Sequence, residues 1–154
     1  MGCGGSGPAQ MSAEGSTGSD AMDDVLSFVA TGNALPILHE IRHALEALLE
    51  RGEETVIDLG AIPFAPGDER QLNEVLGDGE VAAVVSVLGE SHVYETKIPG
   101  VWRIDNLDEN GEFQSRFIEV TFTPELLKTQ REDAEVGLGL LGERLDALSG
   151  NRQT

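Results

Sequence analysis

Basic residues are scarce in this chain. Its 154 residues hold 10 Lys and Arg against 28 Asp and Glu, a formal net charge of −18, and the first basic residue is Arg42. Phosphate recognition needs clustered Lys and Arg, so nucleic acid is excluded as a partner, and anionic lipid would repel such a surface. An acidic surface keeps a protein soluble and suits a basic partner. Cysteine is nearly absent too. The one residue, Cys3, cannot form an intramolecular disulfide, which fits a reducing compartment. No apolar run approaches the roughly 18–20 residues needed to span a membrane, and no basic segment precedes Arg42 to resemble a secretory signal. The expectation is a cytoplasmic protein without membrane insertion.

Residues 1–24 are largely Gly, Ser and small polar residues, too poor in apolar side chains to offset their ordering entropy, and are expected to be a disordered tail. Met1-Gly2-Cys3 and the residues after it match a short acylation pattern, for which a flexible tail is the simpler reading. One domain is expected over 25–148, with a frayed end at 149–154. Within it, residues 34–51 carry Leu38, Ile41, Leu45, Leu48 and Leu49 at helical spacing, between Asn33 as N-cap and Gly52 as stop. Residues 55–59 read as a strand and 68–76 as a shorter helix closed by Gly77. Four short β-prone segments follow: 80–88, 92–98, 101–107 and 117–122. Pro99-Gly100 and Asp108-Glu109-Asn110-Gly111 supply turns between them. Thr123-Pro124-Glu125 reads as the N-terminus of a last helix reaching towards Leu148. The predicted fold is α+β: an antiparallel sheet of four to five strands covered by about three helices.

Two constellations carry chemical meaning. His39-Glu40-Ile41-Arg42-His43 is a literal H-E-x-x-H on a helix, the pattern by which zinc hydrolases hold metal and place a general base. At 100° per residue, however, His39 and His43 fall on the polar face with Glu46 and Glu50. No third ligand follows at a suitable spacing. A non-catalytic nickel or zinc site on His39 and His43 is the milder alternative, and a solvated charged face the simplest reading. Cys3 has no catalytic partner, Ser86 and Ser91 lack a nucleophile elbow, and Gly77-Asp78-Gly79-Glu80 leads into a strand rather than a phosphate-binding helix. No catalytic residue and no cofactor are expected. The second constellation is the lone Trp102 within Pro99-Gly100-Val101-Trp102-Arg103, which is either a core aromatic or an interface anchor. Glu80, Glu95 and Glu119 would gather around it if the strands align.

These central residues resemble a known family. Gly77-x-Gly79-Glu80-Val81, Glu95-Thr96-x-x-Pro99-Gly100-Val101-Trp102-Arg103 and Ile118-Glu119-Val120 are similar to the C-terminal conserved domain of the HupH/HyaF hydrogenase accessory proteins, as is Leu35-Pro36-Ile37-Leu38-His39-Glu40-Ile41. The likeness covers about residues 34–126. It implies a non-enzymatic, chaperone-like role in maturing an uptake nickel–iron hydrogenase, acting on the immature small subunit or on other maturation proteins. Such a small subunit bears a basic twin-arginine leader, which suits an acidic binder. The expected partner surface is Glu80, Glu95, Pro99, Gly100, Val101, Trp102, Arg103 and Glu119.

Overall fold

A computed structural model describes Gly2, residues 30–86 and residues 89–152. The expected tail over 1–24, apart from Gly2, and the expected domain start at 25 lie outside the described residues. Three α-helices and five strands follow in the order α1 (Ala34–Arg51), β1 (Thr55–Asp58), α2 (Pro66–Leu76), β2 (Ala82–Ser86), β3 (Glu90–Glu95), β4 (Val101–Leu107), β5 (Phe113–Val120) and α3 (Arg131–Gly150). The sheet is wholly antiparallel in the order β1-β5-β4-β3-β2. Strands β2 to β5 form the predicted meander, and β1 joins it at the β5 edge. The α+β class, the five strands and the three helices are as the sequence predicts.

Strand alternation divides the core between the two sheet faces. On one face Ile57, Val101, Ile118 and Val120 meet Ile37, Ile41, Ala44 and Leu48 of α1 and Leu72 and Leu76 of α2. On the other, Val93, Trp102 and Ile104 form a second cluster joined by Ala83, Phe117 and Leu127. Helix α1 is turned relative to the expected face. Ile37 and Ala44 are buried while Leu49 is 75% exposed and Leu38 and Leu45 are half-buried. Residues 37, 41, 44 and 48 place the narrower side of the helix on the sheet, which leaves the leucines at its flank beside α2.

The start of α1 is held by a different device from the predicted cap. Asn33 makes no side-chain cap bond; its Nδ2 donates to the Pro63 carbonyl at 2.6 Å. The anchor is Asp68 in the first turn of α2, a fully buried carboxylate. It accepts from the Thr31 amide (2.9 Å), the Thr31 hydroxyl (2.5 Å), the Gly32 amide (3.0 Å) and, reaching back along its own helix, the Ala65 amide (3.0 Å). Burial opposes its ionisation, but these donors stabilise the charged form more, led by the Thr31 hydroxyl. They hold its pKa at about 2. One side chain thereby joins the entrances of two helices.

The last helix also departs from expectation. Pro124 is extended rather than helical, a short 3-10 turn occupies Glu125–Leu127, and α3 begins only at Arg131. Leu127 is drawn into the Trp102 cluster, which fixes the chain before the helix can start. None of α3's residues is buried. Its Gly137, Gly139 and Gly142 each lower helix propensity by about 1 kcal/mol relative to Ala.

The Asp68 anchor predicts an acid-sensitive domain. A carboxylate whose folded pKa lies below its unfolded value of about 3.9 contributes stability that is complete above that value. The contribution is lost as pH falls from about 4 towards about 2. Asp68→Asn is expected to lower the thermal midpoint at pH 7 by roughly 5 °C or more. It should also flatten the pH dependence of the midpoint between about 2 and 4. Circular dichroism melts across pH test this; an unchanged acid limb in the variant would remove Asp68 from that role.

Candidate functional site

The turn between β3 and β4 positions the central motif. Pro99 and Gly100 occupy the middle of a β-turn closed by the Val101 amide donating to the Ile98 carbonyl at 3.0 Å, with Gly100 at φ +89°. The Thr96 hydroxyl lies 2.8 Å from the Val101 carbonyl, and the Ile98 amide donates back to that hydroxyl. A Cβ on Gly100 would sit 3.2 Å from Leu45 Cδ2 of α1. The left-handed backbone favours glycine at this position, and a Cβ would also press on the tip of Leu45.

This turn fixes register, and register decides which candidate residues meet. Glu95 pairs with Trp102 and Trp102 with Glu119, while Val56 pairs with Glu119 on the far side. Directly opposed residues share a face. Glu95, Trp102 and Glu119 therefore form one row across β3, β4 and β5. Val56 lies at one end, and at the other Val81 receives the Glu95 amide on its carbonyl. Both end valines are exposed. Glu80 joins the row through its backbone, whose N–H donates to Glu95 Oε2 at 3.2 Å.

Trp102 is only 8% exposed, and its Nε1 donates to the Thr121 carbonyl at 3.2 Å. Of the two sequence readings, the structure gives it the core position, where it supports the surface from below. Pro99 is exposed and Gly100 half-buried. Val101 and Arg103 point to the opposite face, so the five-residue motif is divided between the two sides of the sheet. Val101 is fully buried under α1 and α2. Arg103 lies over the Tyr94 ring at 4.7 Å and 3.6 Å from Asp105.

Above Trp102 the surface is acidic. Glu119 is half-buried beside Glu54, Glu125 and Lys128. Partial burial raises its pKa above the ordinary carboxylate range, helped by the Glu54 and Glu125 charges. The Glu125 amide and the Lys128 ammonium oppose the shift. Lys128 Nζ lies 3.1 Å from Glu125 and 3.4 Å from Glu54, and the Thr121 hydroxyl donates to Glu54 at 2.9 Å. A single lysine faces three carboxylates, so the patch keeps a net negative charge.

His39, Glu40 and His43 are exposed on the outer side of α1. Among the described residues no group of three or more His, Cys, Asp and Glu side chains is placed to hold a metal ion. A polar bed on the helix-covered face escaped the sequence reading. Asp105, whose carboxyl is pushed up by burial against the opposing pull of Arg103 and His92, pairs with Arg116 at 2.6 Å; Arg116 also reaches Glu69 of α2. The only advance signal was alternation, which puts His92, Asp105 and Arg116 on one face once the register is known. No described helix is long and apolar enough to cross a membrane.

Known proteins share this architecture. The HupH hydrogenase expression protein, C-terminal conserved region, matches residues 31–148. The hydrogenase expression/formation protein HupQ of Azotobacter chroococcum mcd 1 is 31% identical over 133 residues, covering 85% of this chain and 45% of its own length. The hydrogenase expression/formation protein HupH of Rhodobacter capsulatus is 32% identical over 97 residues, which is 63% of this chain and 35% of that one. The chain thus spans less than half the length of the curated relatives it matches. The solved structure of the hydrogenase expression protein HupH from Thiobacillus denitrificans ATCC 25259 superposes with a TM-score of 0.73 at 43% identity, covering 77% of this chain and 99% of that one.

The turn and the tryptophan give a graded stability prediction. Gly100→Ala should cost about 1–2 kcal/mol from the left-handed backbone alone. Trp102→Ala should cost about 3–5 kcal/mol, and Trp102→Phe clearly less because the ring volume is largely retained. Urea unfolding with an unchanged slope reads these losses. Equal losses for Trp102→Ala and Trp102→Phe would show that the Nε1 bond, and not packing, dominates.

Proposed function

The chain belongs to the HupH hydrogenase expression protein family, through that family's C-terminal conserved region, and from this premise we propose that it is a non-enzymatic accessory protein in the formation of a hydrogenase. It binds an immature subunit of an uptake nickel–iron hydrogenase, the small subunit, in the cytoplasm. The observation that carries this reading is the row Glu95–Trp102–Glu119. Register places two carboxylates on either side of a rigid buried aromatic, with Glu54 and Glu125 beside Glu119 and exposed Val56 and Val81 at the ends. A mixed acidic and apolar surface on a stiff sheet is complementary to an extended segment carrying arginines next to apolar residues. The basic leader of an immature small subunit has that composition. The net charge of −18 favours the encounter through long-range attraction.

Because Trp102 works from beneath, the informative substitutions are the acids. Glu95→Lys/Glu119→Lys should fold as the parent does and weaken binding to the immature small subunit by at least tenfold, with a steeper loss of affinity on adding salt in the parent than in the variant. Isothermal titration with the subunit precursor measures both. Equal affinity of parent and variant would sink the proposal. The metal-delivery alternative on His39 and His43 is read in the same instrument: it requires stoichiometric uptake of Ni²⁺ or Zn²⁺ that His39→Ala/His43→Ala abolishes. Our reading expects none.

A further inference from the structure

Among the described residues, two apolar surfaces stand without a partner. The first is α3. Ala134, Leu138, Leu141, Leu145 and Leu148 recur at spacings of 4, 3, 4 and 3, the repeat that keeps one seam facing a second helix. All are exposed, Leu138 by 75% and Leu148 by 68%. The glycines beside this seam, Gly137 and Gly142, have nothing within 4 Å of where a Cβ would stand, leaving room for another backbone. A 20-residue helix with three interior glycines and no buried residue is marginal on its own in water and requires packing to persist.

The second surface is a groove of about 360 Å³ between α1 and α2, walled by Leu38, Ile41, Leu45 and Leu49 on one side and by Val75 and Ile98 on the other. Along α1 the groove wall is built by Leu38, Ile41, Leu45 and Leu49, at spacings of 3, 4 and 4. An aliphatic stripe of this kind, walled by a second helix, is a groove into which the ridge of leucines on another helix packs. Leu49, Val75 and Ile98 remain open to solvent there.

We propose that α3 of one chain lies in the α1–α2 groove of a second copy and receives that copy's α3 in return, forming a closed two-fold dimer. Docking within one chain is disfavoured by the connector. Leu127 is fixed in the Trp102 cluster, on the sheet face away from α1 and α2. Residues 128–130 span about 10 Å at full extension. The sheet and the helix layer that separate Leu127 from the groove are each about 10 Å thick. Exchange between two chains satisfies both surfaces at once and closes without leaving either free. The proposal is independent of the client reading, because the groove and the Glu95–Trp102–Glu119 row lie on opposite sides of the sheet.

Sedimentation equilibrium of the full chain tests this, in reductant so that Cys3 cannot cross-link copies. The parent should sediment at the mass of two 16.4 kDa chains. Both Leu141→Asp/Leu145→Asp on α3 and Leu49→Lys/Val75→Lys on the groove should sediment as folded monomers; all four positions are more than half exposed, so the fold survives. Mixing the two variants should restore a heterodimer, since one supplies an intact helix and the other an intact groove. Hydrogen exchange supplies the second readout, with α3 amides protected in the parent and unprotected in both variants. A groove variant that remains dimeric would overturn the proposal in favour of an α3–α3 coiled coil. A monomeric parent overturns it in either case: protected α3 amides would indicate docking within one chain, unprotected ones a helix reserved for another protein.

Discussion

The turn at Pro99-Gly100 is the constraint on which the sheet's arrangement depends. A strand pair slipped by one residue exchanges its two faces, so the position of Trp102 is decided where β3 turns into β4. The left-handed Gly100 and the Thr96 hydroxyl fix that turn from within. From outside it lies close beside Leu45 of α1 and is held by the Thr121 amide donating to the Gly100 carbonyl at 2.9 Å. The Lys97 amide ties the same loop to the end of α2 through the Leu76 carbonyl at 2.8 Å. Helix α1, helix α2 and strand β5 are thus indexed to one glycine. The meeting of Glu95, Trp102 and Glu119 follows from it.

Much of this was legible in advance because alternation and punctuation are local signals. The strand over Val101–Leu107, the Asp108–Gly111 turn, the stop at Gly52 and the helix ending at Leu76 all follow from spacing and turn chemistry. Alternation also separated Trp102 from Arg103 correctly. Register was not legible, since it depends on hydrogen bonds between segments far apart in sequence; hence Glu95 and Glu119 come to flank Trp102 only in the fold. Asp68 escaped notice for the same reason, looking like an ordinary acid in a first helical turn although its main partners, Thr31 and Gly32, lie more than 30 residues away. The start of α3 was misplaced because Thr123-Pro124-Glu125 has the local chemistry of a helix entrance, which Leu127's burial in the Trp102 cluster overrides.

The domain therefore has two sides with different chemistry. One bears acids over a rigid aromatic and suits a basic, partly apolar segment. The other is an aliphatic groove between α1 and α2, the seat proposed for the last helix of a second copy. Exchange of α3 would order that helix while leaving the acidic row exposed in each copy, so pairing of copies and capture of a client are compatible. The two curated relatives named above are more than twice as long as the part matched here. The acidic row nonetheless lies wholly within the matched region, residues 31–148.

The most direct test of this account is a hydrogen–deuterium exchange map with and without the immature small subunit bound. The account predicts added protection over residues 54–56, 80–81, 95–102 and 119–128, the segments that build the acidic row and its rim, with no change on the outer side of α1 around His39 and His43. Protection confined to that outer side of α1, or no protection anywhere at saturating subunit, would contradict it.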